Sequence, residues 1–102
     1  MKRKLLAVGI VAIFTVAGTA LAAGDAAAGK TKAAACSGCH GKNGEGVKPN
    51  PALAGLAAET IIQDLKDYKS GKRANPVMKT FASKLSDADM ANLAAYYASL
   101  KK

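Results

Sequence analysis

Two cysteines and the only histidine of this chain lie together in one short segment, Cys36-Ser37-Gly38-Cys39-His40. A disulfide between these cysteines would close a very small loop, so it would restrict little of the unfolded chain. Much of the apolar composition is alanine, which buries little area, and small domains commonly need a metal or a cofactor to stabilise them. We therefore expect the two thiols to hold a group on which the core depends.

The pattern C-x-x-C-H is the attachment signal for c-type haem. At the end of a helix, residues three apart fall on one side, so both thiols can reach the vinyl groups of one porphyrin. The next residue then places an imidazole under the iron. A zinc site that recruits carboxylates, a thioredoxin-like redox pair and a buried cysteine pair without a cofactor are the alternatives. We predict one covalently bound haem c per chain, attached at Cys36 and Cys39 and bound through His40.

The first 22 residues are not typical of a folded domain. A basic start is followed by an apolar run over residues 5–17 and then by small residues, which are the three parts of a secretory signal peptide. The pattern predicts cleavage after Ala22, or alternatively after Ala23, and a folded domain over residues 23–102. Residues 5–23 are almost long enough to span a bilayer, so a retained membrane anchor is the alternative.

One further iron ligand is expected, because methionine commonly fills the sixth position in electron-carrying cytochromes. The chain has three methionines and no second histidine, and Met1 would leave with the signal peptide. Met78 follows Asn75-Pro76 in a stretch predicted to be irregular, where its side chain can face a flat ring. Met90 lies on a predicted core stripe, where methionine is usually filler. We favour Met78, with an open or water-bound sixth position as the alternative.

The sequence predicts an all-α domain with four helices and one long loop. Asp25 is expected to cap a first helix that continues to about Cys39. Residues 41–55 contain too many glycines, prolines and asparagines for a regular element. No segment alternates in the manner of a strand.

Three more helices are predicted after the loop. Apolar spacing indicates a helix over residues 58–70, with Gly71 in the place of a C-terminal glycine cap. A short helix is expected over about 76–84. Ser86 begins a capping box for the last helix, over 87–100.

The order and spacing of four markers resemble the class I cytochrome c family, particularly the small bacterial c553/c554-like and c4-like carriers. The markers are the haem motif at 36–40, the segment Pro-Ala-Leu-Ala-Gly-Leu at 51–56, Met78, and Leu-Ala-Ala-Tyr-Tyr at 93–97. The resemblance implies a class I fold in which the helices and the loop pack around the haem.

The same resemblance implies roles for individual residues. Cys36 and Cys39 would form the thioethers, while His40 and Met78 would be the proximal and distal iron ligands. The carbonyl of Pro51 would accept a hydrogen bond from the other ring nitrogen of His40. The resemblance also implies that Gly29 lets the first helix cross closely against the last, near Tyr96. The alanine-rich stretch before the motif departs from the family, because many members carry an aromatic residue there.

These features predict a soluble periplasmic electron carrier that is not an enzyme, because an iron with both axial positions filled exchanges only electrons. Without residues 1–22 the chain keeps 12 basic and 7 acidic residues, a net charge of about +5. We expect a monomer with redox protein partners and no nucleic acid or small-molecule substrate. Lys66, Lys69, Lys72 and Arg73 are the candidate cations for attracting an acidic surface of a partner, and an ordinary solvated helix end is the alternative. The alternatives are a haem-based ligand-binding or peroxidase-like protein with an open sixth site, and a membrane-anchored carrier.

Overall fold

Five helices form the part of the chain described by the structure, a computed structural model that covers residues 24–101. They are α1 (Ala26–Lys32), α2 (Ala34–His40), α3 (Ala58–Ser70), α4 (Pro76–Ser83) and α5 (Asp87–Ser99). The predicted signal peptide and both of its cleavage points lie outside the described residues. Within residues 24–101 there is no strand, and the only extended pairing is an isolated bridge between Val47 and Asn50.

Side-chain caps determine where three of the helices begin. The Asp25 carboxylate accepts from the backbone N–H of Ala27 at 2.9 Å and so starts α1. Asn75 caps α4, ahead of a proline whose missing N–H costs nothing at the first helical position. Ser86 and Asp89 form a reciprocal capping box at the start of α5, with both bonds at 3.0 Å.

The first predicted helix is divided in two at Ala33. The N–H of Cys36 bonds the Ala33 carbonyl three residues back, at 2.8 Å, which tightens the turn before α2. The Ala33 side chain is buried in the core, so packing fixes the position of this turn. The second of these helices, α2, ends at His40, one residue beyond the predicted end at Cys39.

The helices α1 and α5 cross in close contact at Gly29. A Cβ atom at Gly29 would overlap the carbonyl oxygen of Asn92 and would lie 2.9 Å from the Cβ of Tyr96. The backbone N–H of Asp25 also donates to the Asn92 side chain at 2.8 Å. Only a residue without a side chain allows this approach, as expected for the crossing near Tyr96.

The core lies between α1, α3 and α5. Its buried members are Ala33, Ile61, Leu65, Met90, Leu93, Ala94 and Tyr97. Within the loop over residues 41–55, the Gly44 carbonyl accepts from the N–H groups of Leu53 and Ala54, and the Gly55 N–H joins the loop to the core by donating to the Tyr97 carbonyl at 2.9 Å. Gly44 has φ of +70°, and a Cβ there would lie 2.8 Å from the Tyr97 ring, so glycine is required. No helix within residues 24–101 is long and apolar enough to cross a membrane.

Candidate haem site

A cavity of about 540 Å³ opens between α2, the loop, α3, α4 and α5. Its wall is mostly apolar, and its volume falls in the range of roughly 300–1,000 Å³ that is typical of ligand and cofactor pockets. All five residues predicted to hold the cofactor line it: Cys36, Cys39, His40, Pro51 and Met78. The fold therefore brings together residues that are up to 42 positions apart in the sequence.

The imidazole of His40 is held by the loop. Its Nδ1 atom lies 2.8 Å from the carbonyl oxygen of Pro51, and the residue is only 7% exposed. A carbonyl can only accept, so Nδ1 carries a proton, and in the neutral ring Nε2 then has the lone pair that a metal would use. The carbonyl of the preceding residue, Cys39, accepts from the Asn50 side chain at 2.9 Å. Two adjacent loop residues thus fix the end of α2.

The two thiols lie in different surroundings. Cys36 is half-buried and Cys39 is exposed, and both are free cysteines. Burial raises the pKa of the Cys36 thiol above its ordinary value, although a hydrogen bond with Tyr97 acts in the opposite direction. Burial likewise raises the pKa of Tyr97. Both thiols line the cavity on the side formed by α2, as the attachment of one ring at two points requires.

The two methionines of the described residues have different positions. Met78 is half-buried, lines the cavity and lies in the first turn of α4. The short helix predicted over about 76–84 is therefore confirmed, and the description of the backbone around Met78 as irregular is wrong. The Asn75 cap causes this, because its side chain accepts from the Met78 N–H at 3.0 Å and begins the helix. Met90 is 1% exposed and belongs to the core.

Polar residues at the cavity margin were not predicted as part of the site. The Arg73 guanidinium lies 3.1 Å from an Asp64 carboxylate oxygen and 4.7 Å from the centre of the Tyr68 ring, and all three residues line the cavity. Lys69 donates to the carbonyl of Leu85 at 2.6 Å. Two of the four cations predicted to attract a partner are therefore engaged within the fold. Asp64 and Tyr68 are four residues apart, so the sequence could have shown that they share one face of the helix. No local pattern indicated that Arg73 would contact them.

These residues fit haem c. Two thiols on one helix, an oriented imidazole and a thioether sulfur line one apolar cavity, and these are the kinds of donor that a c-type haem would need. Among residues 24–101, no cluster of three or more His, Cys, Asp and Glu side chains is arranged to hold a metal ion.

Comparisons with known proteins agree with this geometry. The family model described as cytochrome c matches residues 26–101. Cytochrome c4 of Pseudomonas aeruginosa is 44% identical over 97 residues, which cover 94% of this chain and 48% of that protein. Cytochrome c-554(548) of Halomonas halodenitrificans is 43% identical over 81 residues, which cover 76% of this chain and 98% of that one. The chain thus spans about half the length of the first relative and nearly the whole of the second.

The solved structures include a related fold. Cytochrome c4 of Acidithiobacillus ferrooxidans superimposes with a TM-score of 0.67 at 36% identity, over 76% of this chain and 51% of that chain. The superposition covers most of the residues described here, so the arrangement of helices around the cavity is shared with that protein.

Proposed function

The chain belongs to the cytochrome c family, and from this premise we propose that it is a periplasmic carrier of single electrons whose iron is held between His40 and Met78. The predicted resemblance and the all-α class I fold are confirmed. Members of the family bind covalently attached haem c, and the relatives are named as cytochromes, which are electron carriers rather than enzymes.

One observation carries the proposal. The cavity brings Cys36, Cys39, His40 and Met78 to the same space, although Met78 comes from a separate helix far along the chain. The two cysteines would supply the sulfurs for the thioether bonds, and His40 and Met78 would supply the nitrogen and the sulfur that hold the iron. An iron held by both residues would leave no position open for a substrate.

The residues of the chain then set the properties of the metal. Haem c, when bound, supplies an iron that alternates between Fe(II) and Fe(III). The Pro51 carbonyl fixes the tautomer of His40 and makes its imidazole a better donor. A Met78 thioether bound to the iron would favour its reduced form relative to a nitrogen ligand, so it would raise the reduction potential. The apolar wall would also raise the reduction potential, because a site without water disfavours the extra positive charge of the oxidised state.

The partners that we propose are redox proteins that dock over the mouth of the cavity. Val77 and Phe81 line the cavity, lie one turn apart on α4, and are 59% and 40% exposed, respectively. Exposed apolar residues beside a redox centre suit a transient interface, and the exposed cation Lys72, in the connection before α4, would favour an acidic partner. The signal-peptide pattern of residues 1–22 supports a location in the periplasm.

Absorption spectra of the purified protein test this function. We expect a covalent c-type spectrum, a methionine–ferric-iron charge-transfer band in the oxidised form, and no carbon monoxide binding by the reduced form. Met78→Ala should abolish the charge-transfer band and permit carbon monoxide binding. Met90→Leu is the matched control, because it changes a buried core methionine at nearly constant volume and should retain the band.

Other outcomes would redirect the proposal. Loss of the band in Met90→Leu but not in Met78→Ala would assign the sixth ligand to Met90. A c-type spectrum with ready carbon monoxide binding in the unchanged protein would favour a ligand-binding or peroxidase-like protein. Absence of haem after expression in a strain competent for cytochrome c maturation would refute the proposal. The mature N-terminus at Ala23 or Gly24 would exclude the anchored carrier.

A further inference from the structure

We propose that the Tyr97 hydroxyl hydrogen-bonds the sulfur of Cys36 and positions it for one of the two thioether bonds. This inference rests on the proposed function, because the thioether joins that sulfur to haem c. Both residues line the cavity, although one belongs to α2 and the other to α5. Cys36 also packs against the buried cluster of which Tyr97 is a member. The last helix thus reaches the first attachment point from inside the core.

The ring of Tyr97 is held on several sides. The residue is only 2% exposed, and a Cβ at Gly44 would lie 2.8 Å from two of its ring carbons. The centre of the Tyr96 ring lies 5.1 Å from the centre of the Tyr97 ring. The Tyr97 carbonyl accepts from the Gly55 N–H at 2.9 Å, which ties the backbone of α5 to the loop. Packing therefore fixes the direction in which the hydroxyl points.

A buried hydroxyl needs a hydrogen-bond partner, and the fold provides one for Tyr97. A polar group without a partner loses its hydration and gains nothing in return. Among residues 24–101, Cys36 is the only group that hydrogen-bonds the Tyr97 hydroxyl. A hydroxyl and a thiol can each donate or accept, so either hydrogen can lie between the oxygen and the free thiol sulfur.

Thioether formation decides which of the two groups donates. The S–H of Cys36 adds across a vinyl C=C bond of the tetrapyrrole. A C–S bond forms, the π bond breaks, and the terminal vinyl carbon gains a hydrogen and becomes a methyl group. The addition consumes no oxidant and no reductant. The sulfur then has no hydrogen of its own, so the Tyr97 hydroxyl becomes the donor and the thioether sulfur a weak acceptor.

The second attachment point is held in a different way. Cys39 is exposed, whereas Cys36 is half-buried. Cys39 is held through its backbone, because its carbonyl accepts from the Asn50 side chain at 2.9 Å. Tyr97 therefore acts on one sulfur only, and its loss should affect Cys36 and leave Cys39 unchanged.

The two adjacent tyrosines of α5 have separate positions. Tyr96 lies at the crossing of α1 and α5, where a Cβ at Gly29 would be 2.9 Å from its own Cβ, and it does not line the cavity. Tyr97 lines the cavity together with Leu93, one turn earlier on the same face. Tyr96→Phe is therefore the matched control for Tyr97→Phe, since each variant removes one hydroxyl from neighbouring rings of the same helix.

Resonance Raman spectroscopy of the haem-loaded protein tests the assignment, because the C–S stretching band of a thioether responds to a hydrogen bond at the sulfur. We expect Tyr97→Phe to shift this band and Tyr96→Phe to leave it in place. Peptide mapping by mass spectrometry locates the effect. Any thiol left free in Tyr97→Phe should be that of Cys36, with Cys39 attached.

An unchanged C–S band in Tyr97→Phe, an equal shift in Tyr96→Phe, or a free thiol at Cys39 alone would overturn the assignment. If Tyr97→Phe does not mature, Cys36→Ala and Cys39→Ala decide the question, since each keeps one thioether. The tyrosine doublet in the ultraviolet resonance Raman spectrum reports hydrogen bonds of the phenol. It should change in Cys36→Ala and not in Cys39→Ala, and an equal response of the two variants would overturn the assignment.

The absorption spectrum separates this inference from the proposed function. An unchanged C–S band in a Tyr97→Phe protein with an intact methionine charge-transfer band would refute only the role of Tyr97. Absence of a c-type spectrum in the unchanged chain would refute the proposed function as well.

Discussion

Replacement of Gly29 by alanine tests whether the close crossing of α1 and α5 determines the stability of the domain. Alanine at an interior helical position gains about 1 kcal/mol over glycine from propensity alone. Here the added Cβ would overlap the Asn92 carbonyl oxygen, and a backbone atom cannot move away by a rotamer change. Overpacking costs about 1–3 kcal/mol, and this contact belongs at the upper end of that range. We therefore expect a net loss of about 2 kcal/mol in the free energy of unfolding.

Thermal unfolding of the haem-loaded protein, followed by circular dichroism, measures this loss. For a domain of this size, about 2 kcal/mol corresponds to a fall of roughly 10 °C in Tm. Gly38→Ala is a matched control, because Gly38 lies in α2 and no described atom lies within 4 Å of its added Cβ. It should leave Tm unchanged or raise it slightly. A Gly29→Ala protein as stable as the unchanged chain would show that the helices separate at no cost, and the reasoning would be refuted.

Four further predictions concern a helix cap, the loop and the surface. Ser86→Ala should cost about 1 kcal/mol of unfolding free energy in a denaturant titration. The Ser86 backbone N–H lowers the pKa of Asp89, so this carboxylate stabilises the fold at pH values above its ordinary pKa, and the contribution is lost as the pH falls through the lowered pKa. Asp89→Asn should therefore reduce the loss of stability on acidification. An unchanged dependence of the unfolding free energy on acidic pH would contradict this. Asn50→Ala removes the bond to the Cys39 carbonyl and should lower the unfolding free energy by about 1 kcal/mol, measured by denaturant titration. Lys72→Glu should slow electron transfer to an acidic partner at low ionic strength and flatten its salt dependence in stopped-flow experiments, whereas Lys101→Glu should do neither.

Local chemistry made several elements predictable. The bounds of α3 follow from apolar spacing and from Gly71, whose φ of +88° shows why glycine ends this helix. Proline after Asn75 and the box formed by Ser86 and Asp89 act over three or four residues, so they can be recognised without knowledge of the fold. The all-α class was predictable because these helix signals are local to each segment.

Other features depend on residues that are distant in the sequence. Ala33 has no local tendency to end a helix, and its burial in the core decides where α1 and α2 separate. The contact of Arg73 with Asp64 and Tyr68 requires the chain to reverse after α3, so no short pattern indicates it. The sequence marks which residues can bind haem, but only the fold shows that Met78 and the α2 motif line the same cavity. The ligand roles themselves stay predictions that the spectra will decide.

The contact between α1 and α5 joins residues at opposite ends of the described chain, since the Asp25–Asn92 bond spans 67 positions. Closing such a long loop has an entropic cost that only the completed packing offsets. Leu93 and Tyr97 of α5 also form part of the cavity wall, so the binding site is incomplete until this last helix has been synthesised and has docked. Partial chains that emerge during translation would therefore display the two thiols without the pocket that the folded domain builds around them.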